Sequence, residues 1–297
     1  MGDFHMSKLT KLIFKFSLLL AIPVAGHAGS ITLGSLSSTP GSETTIFLPV
    51  ASYLAKGLAD FGITDARVRV ARSHAEMADL MKQGEVDLFI DSSISALIVQ
   101  RQSGGHFLAR RWKKGISEYH SVIFVRKESG ISQLKDLGGH TMGFEEPFSS
   151  SGYLLPASEM IRSGLSLVPV GQQAQSMGVG YRFTGADENT LLWVLHGRLD
   201  AGAMAGNKLA KLAASLQDEL KVIYQSRTIP YHVVVVRQGL SILLQQAIHQ
   251  RLLEMHNNSH GQQVLEAFEK TGRFDDIPAN VLRNLQSIQL DPVLERQ

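Results

Sequence analysis

The chain has 297 residues, carries 29 Lys and Arg against 27 Asp and Glu, and contains no cysteine. Near-neutrality excludes a polycation that gathers nucleic acid or acidic membranes through its bulk field. The missing cysteines exclude a disulfide framework, a thiolate nucleophile and Cys-ligated zinc, and no thiol is available to carry a lipid.

From the first residue onward, Lys8, Lys11 and Lys15 precede or interrupt an apolar stretch that continues through Leu18, Leu19, Leu20 and Ile22. Pro23 breaks it, and Ala25, Gly26, His27 and Ala28 supply small residues around a cleavage point after Ala28. A positive flank, a short apolar core and a small-residue exit describe a secretory signal peptide over residues 1–28. The apolar run falls short of the roughly 20 residues that span a bilayer. Export to the periplasm is therefore expected. The rest of the chain, after loss of three lysines and one aspartate, holds 26 basic and 26 acidic residues.

Short runs with strand character follow at 31–36, 67–72, 87–90, 121–126, 141–144, 201–205, 222–225 and 233–237. Between them lie helically spaced stretches at 47–60, 75–83, 189–196 and 240–255. This alternation predicts an α/β fold of parallel sheets with helices on both faces. The length suffices for two domains, yet no Pro/Gly linker divides the chain. Two lobes that the chain enters and leaves more than once meet both facts. The crossings fall at Glu118-Tyr119-His120 and at 228–232, each feeding a Val-rich strand that ends in Arg. The paired crossings predict a two-stranded hinge. The first lobe is residues 29–119 and 229–297, and the inserted second lobe is 120–228.

Site candidates sit where strands end. Ser149, Ser150 and Ser151 lie between a strand and a stretch of helical spacing that reaches Ser163. Their hydroxyls and the first free N–H groups of that helix suit a phosphate or carboxylate. Gly152 allows close backbone approach, and Pro156 fits the first turns of the helix. Serine is also an ordinary helix cap, but three in succession exceed what a cap needs. In open α/β sheets ligands sit beyond the carboxyl ends of strands. That edge of the first lobe carries Thr39, Thr44, Asp91, Ser92 and Ser93, with Tyr119 at the crossing. Trp112 with Arg110, Arg111, Lys113 and Lys114 suggests either an anion or partner patch or a solvated loop beside the hinge, and the run is read as the loop. His256 and His260 read as surface histidines, with 259–261 as a turn between helices. No nucleophile elbow, Walker loop or His-Glu-x-x-His motif is present.

The stretch from Ser121 to Phe144, followed by Glu146-Pro147-Phe148-Ser149-Ser150-Ser151-Gly152-Tyr153-Leu154-Leu155-Pro156, resembles the periplasmic phosphonate-binding proteins. The run 194–201 and Ile229-Pro230 match later landmarks of that family in order and spacing. The resemblance implies the two-lobed type II periplasmic-binding-protein fold and a Ser-rich ligand loop at 149–152. It also implies delivery of ligand to an ABC importer, without catalysis, cofactor or metal. Three positions depart from the family pattern. Asp187 stands where a histidine is usual, Ala205 where an acidic residue is common, and Ala96 where a tyrosine is common. A carboxylate at Asp187 repels a phosphonate dianion and suits a ligand that also carries an amine. The expectation is thus a monomeric receptor for a small anionic or zwitterionic, phosphonate- or phosphate-like ligand. Its partner is an ABC permease or, in an alternative reading, a membrane-bound sensor that reads the same closure.

Overall fold

A computed structural model describes residues 29–37, 40–171, 178–212, 216 and 218–290. The signal-peptide reading of residues 1–28 and the candidate Thr39 lie outside the described residues. In chain order the elements are β1 (Ser30–Leu36), α1 (Pro40–Gly57), β2 (Asp65–Ala71), α2 (His74–Lys82), β3 (Leu88–Ser92), α3 (Ser93–Ser103) and β4 (His106–Lys113). Next come β5 (Glu118–Tyr119), β6 (Ser121–Arg126), β7 (Thr141–Phe144), α4 (Leu155–Arg162), β8 (Ser166–Pro169), β9 (Gly178–Phe183) and α5 (Asp187–Leu195). The chain continues through β10 (Ala201–Ala205), α6 (Gly206–Leu212), β11 (Leu220–Gln225), β12 (Ile229–Pro230) and β13 (His232–Val236). It finishes with α7 (Ile242–Glu254), α8 (Ser259–Ala267), β14 (Thr271–Asp275) and α9 (Ala279–Gln286).

Two six-stranded sheets result, ordered β14-β4-β13-β3-β1-β2 and β11-β6-β10-β7-β9-β8, with β12 and β5 paired as a small third sheet between them in the chain. The parallel sheets expected from the alternation are in fact mixed. In the first, β13 runs antiparallel to β3 and β4, and β14 antiparallel to β4. In the second, β6 runs antiparallel to β10 and β11. The reason lies in the crossings: β6 and β13 are the first strands after β5 and β12, and each returns through its sheet against the direction set by the βα units. Tyr119 pairs with Ile229 and Glu118 with Pro230, which is the two-stranded connection expected at those positions.

Local sequence explains each element's place. Four consecutive valines in β13 are buried on both faces, as a central strand requires. β2 alternates exposed Arg67 and Arg69 with partly buried Val68 and Val70 because it is an edge strand with one covered face. In β10 the small residues allow close layering: a Cβ on Gly202 would come 2.7 Å from both Phe124 and Thr190. α3 is buried almost all round, since Ile94, Leu97 and Ile98 join the core of the second sheet while Ala96 and Val99 join that of the first. That helix therefore shows no single apolar stripe in the sequence.

Of the basic run at 110–114, only Lys114 lies in an exposed turn, and residues 110–113 belong to β4. Arg110 and Arg111 are buried on strand β4 and not in a solvated loop. Arg110 pairs with Glu118 and, at 2.7 Å, with Asp275. Paired guanidinium groups can be buried, so their charge alone misplaces them in a sequence reading. Ser259-His260-Gly261 likewise opens α8 and is not a turn, because Asn258 caps the helix by accepting from Gly261 N at 2.8 Å.

Candidate functional site

The carboxyl ends of β3 and β7 meet at one junction. The segment after β7 ends at Ser149, whose Oγ accepts from Gly152 N at 3.0 Å and donates to Glu145 Oε2 at 2.6 Å. Tyr153 N and Leu154 N both bond back to Ser149 O, at 3.0 and 2.9 Å, so the turn is one residue wider than an α-helical turn. Widened turns of this kind recur at functional sites. Gly152 is required there, because a Cβ would lie 2.7 Å from Glu145 Cβ and 2.8 Å from Ser149 Oγ. Ser150 reaches across to the other sheet: its Oγ donates to Ser92 Oγ at 2.8 Å and accepts from Ile94 N at 3.0 Å. Ser151 O accepts from Ser121 Oγ at 2.7 Å.

The facing element is the start of α3. Ser92 precedes the helix, Ser93 is buried with no partner for its Oγ, and Ser95 Oγ donates to Phe148 O at 3.1 Å. His74 Nε2 lies 3.0 Å from Ser95 Oγ, and its ring meets Phe148 edge-on. Both His74 and Ser95 are fully buried, so this pair joins elements and meets no solute. Asp91 accepts from Ser92 N at 2.6 Å and Leu36 N at 3.4 Å, yet burial outweighs these bonds and pushes its carboxyl up to about 6. Tyr119 packs edge-on against Tyr231, with centroids 4.7 Å apart. Burial raises the Tyr119 phenol and keeps it a neutral donor.

Charged walls flank the junction. On the side of the second sheet, Asp187 begins α5, is 3% exposed, and pairs with Lys208 of α6. Its Oδ1 has no partner. Burial and neighbouring Glu145 push Asp187 up to about 6, with Lys208 acting the other way. Burial also works against the Lys208 ammonium, but Glu145 and Asp187 outweigh it and raise its pKa. On the side of the first sheet stand Arg111 and Lys113 at the end of β4, with Glu269 bonded to both. Tyr231 feels both walls, through Lys208, Asp187, Glu145 and Glu269. The arrangement offers hydroxyl and amide donors together with charges of both signs. Among the described residues no group of three His, Asp or Glu is placed to hold a metal ion. No described helix is long and apolar enough to cross a membrane.

The family model for the ABC transporter phosphonate periplasmic substrate-binding protein matches residues 34–279. The chain belongs to that family. It is 27% identical over 204 residues to the phosphonates-binding periplasmic protein of Escherichia coli, a match covering 66% of this chain and 58% of the relative. The alignable part thus spans little more than half of that relative. Among solved structures, XAC2383 from Xanthomonas citri, bound to chloride ion, superposes with TM-score 0.77 at 23% identity, covering 90% of this chain and 96% of the other. PhnD1 from Prochlorococcus marinus in complex with methylphosphonate gives 0.58 at 17%, covering 87% and 96%. These likenesses carry the fold, the two-lobed type II periplasmic-binding architecture. The family is a transport component and not an enzyme.

Within this phosphonate-binding family member, Ser149–Gly152, Ser92, Ser93, Tyr119 and Asp91 gather around one junction. Asp187 belongs to the charged wall beside it. Thr44 does not join them: it is exposed on α1 and its Oγ1 donates to Pro40 O at 2.9 Å. Sequence reading passed over Glu145, Lys208 and Glu269, placed Tyr231 and His232 only in a crossing, and read Arg111 and Lys113 as part of a solvated loop. For Lys208 a signal existed. It lies three residues past Ala205, a position the resemblance marked as a departure, and pairs with Asp187, another such position. Such a pairing is visible only once α5 and α6 are known to face each other.

Proposed function

We propose that the chain is an exported receptor whose two lobes, residues 29–119 with 229–297 and residues 120–228, close on a small anionic or zwitterionic ligand. The ligand is phosphonate- or phosphate-like, and the closed form is presented to an ABC permease in the inner membrane. The protein acts as a monomer after its signal peptide is removed. One observation carries the reading: Ser150 of the widened turn bonds directly to Ser92 Oγ and Ile94 N at the start of α3. The two strand-end loops are thereby within reach of one small solute. A ligand held by both loops favours the closed state by its differential affinity for it. Asp187 with an unpaired oxygen, beside Lys208 and Glu145, supports a ligand that carries a cationic or hydroxyl group as well as an acid.

Titration calorimetry of the exported chain with methylphosphonate, phosphate, aminoalkylphosphonates, sulfonates and amino acids tests this. One class is expected to bind saturably. Ser151→Ala should weaken that binding by about tenfold, the loss of one hydrogen bond to a charged group, with little change in melting temperature. Absence of saturable binding across the panel, or unchanged affinity in both Ser150→Ala and Ser151→Ala, would remove the loops from the site.

A further inference from the structure

The first-sheet wall holds hydrogen-bond donors that its structural neighbours do not use. Arg111 is 1% exposed. Its Nε donates to Thr271 Oγ1 at 2.8 Å, and its Nη2 to Phe268 O at 2.8 Å and Glu269 Oε2 at 3.0 Å. The guanidinium lies 3.6 Å above the Phe268 ring centroid. Those bonds leave Nη1 without a protein acceptor. Lys113 Nζ bonds Glu269 Oε1 at 2.7 Å, which leaves two of its three donors unused. Two cations therefore share one carboxylate. Burial pulls Arg111 down to about 10 and lowers Lys113, while Glu269 and Asp91 act the other way on both. Asp91 and Glu43 are within electrostatic reach but form no ion pair with either, and burial raises both carboxyls. His232 pairs with Arg111 in the ladder, is 8% exposed, and has an unpartnered Nδ1.

The carboxylate that does reach the cations is delivered by unusual backbone. Glu269 and Lys270 have φ of 52° and 55°, a region that L-residues seldom adopt. Outliers of this kind cluster at ligand sites, where surrounding structure holds them. Here the turn between α8 and β14 places Glu269 across Arg111 and Lys113, where an acidic solute group would sit.

We propose that Arg111, Lys113 and His232 form an oxyanion subsite in the first-lobe wall, and that Glu269 fills it as a built-in counter-carboxylate. The subsite takes a compact oxyanion group, a carboxylate, sulfate or phosphate, and Glu269 sets how much negative charge it accepts. The inference rests on the cleft reading above but has its own test. The probe is inorganic phosphate, titrated into the wild type, Glu269→Gln and Glu269→Asp, with sulfate as a second oxyanion. Removing the carboxylate should tighten phosphate binding at least tenfold, and withdrawing it by one methylene in Glu269→Asp should move affinity in the same direction. Adding Lys113→Met to Glu269→Gln should abolish the gain. Phosphate affinity that is unchanged or weaker in both Glu269 variants overturns the subsite. Loss of binding in Ser151→Ala together with unchanged Glu269 variants sinks this inference alone. A gain in Glu269→Gln without any effect of Ser150→Ala or Ser151→Ala sinks the loop reading alone.

Discussion

Asp91 illustrates how burial sets the chemistry of a single residue. It accepts two backbone N–H groups, which ordinarily favours the charged carboxylate, yet desolvation prevails and its pKa stands at about 6. The free side chain titrates near 3.8, so between these pH values the folded chain holds a proton that the unfolded chain has released. Stability from this group is therefore lost as pH rises through 4 to 6. Relative to Asp91→Asn, the wild type should lose about 3 kcal/mol between pH 3.5 and 7. Urea denaturation of both proteins at the two pH values measures the difference. A constant difference would mean that Asp91 is solvated and free to ionise.

At the scale of elements, α8 shows how one helix start positions the wall far along the chain. Asn258 caps it, and Gly261 is pressed so closely on the preceding turn that a Cβ would lie 1.9 Å from Met255 O. The contact is with backbone, which cannot swing aside. The helix then leads to Phe268, which stacks edge-on with Phe47 and lies under Arg111, and to the strained turn at Glu269. Each left-handed non-glycine residue there costs on the order of 1–3 kcal/mol, which the surrounding structure must offset. Gly261→Ala should destabilise the protein by about 2–3 kcal/mol, the usual cost of overpacking. Thermal unfolding reads this directly, and a melting temperature equal to wild type would show that the helix start relaxes freely.

For the whole molecule, a small number of hydrogen bonds joins the two sheets beyond the β5–β12 connection. Ser150 to Ser92, Ile94 N to Ser150, and Ser95 to Phe148 O cluster at the junction. On another side, Arg101 of α3 donates to Ile288 O at 2.7 Å and Ser158 of α4 to Gln289 O at 3.1 Å, so the segment after α9 ties the same two sheets together. If the proposed lobes open about the β5–β12 pair, the junction bonds hold the closed state and the ligand adds to them. Ser92→Ala combined with Ser95→Ala removes about 2 kcal/mol of this attachment, roughly a thirtyfold shift towards opening. Small-angle scattering of the ligand-free double variant should then show a larger radius of gyration than wild type. Superimposable scattering would place the hold on closure elsewhere, with the segment after α9 as the next element to cut.

The sequence by itself determined the α/β class, the positions of several strands along the chain and the Ser-rich turn. Strands 121–126, 141–144 and 201–205 were legible to the residue because strongly apolar or small runs sit between clear turn signals. It also carried the family, since the Ser-Ser-Ser-Gly-Tyr run keeps its context from Ser121 to Pro156. β4 and β14 were missed because their inward positions hold Arg110, Arg111 and Thr271. A buried guanidinium bonded to acceptors about 160 residues away, such as Thr271 Oγ1 and Phe268 O, cannot be told from a solvated one by local pattern. β8 and β9 carry little periodicity of their own. Only the tertiary structure decided that Lys208 faces Asp187 and that Glu269 bridges Arg111 and Lys113. Charge pairing across elements depends on distances of a few ångströms between positions far apart in the chain, and local sequence encodes no such distances.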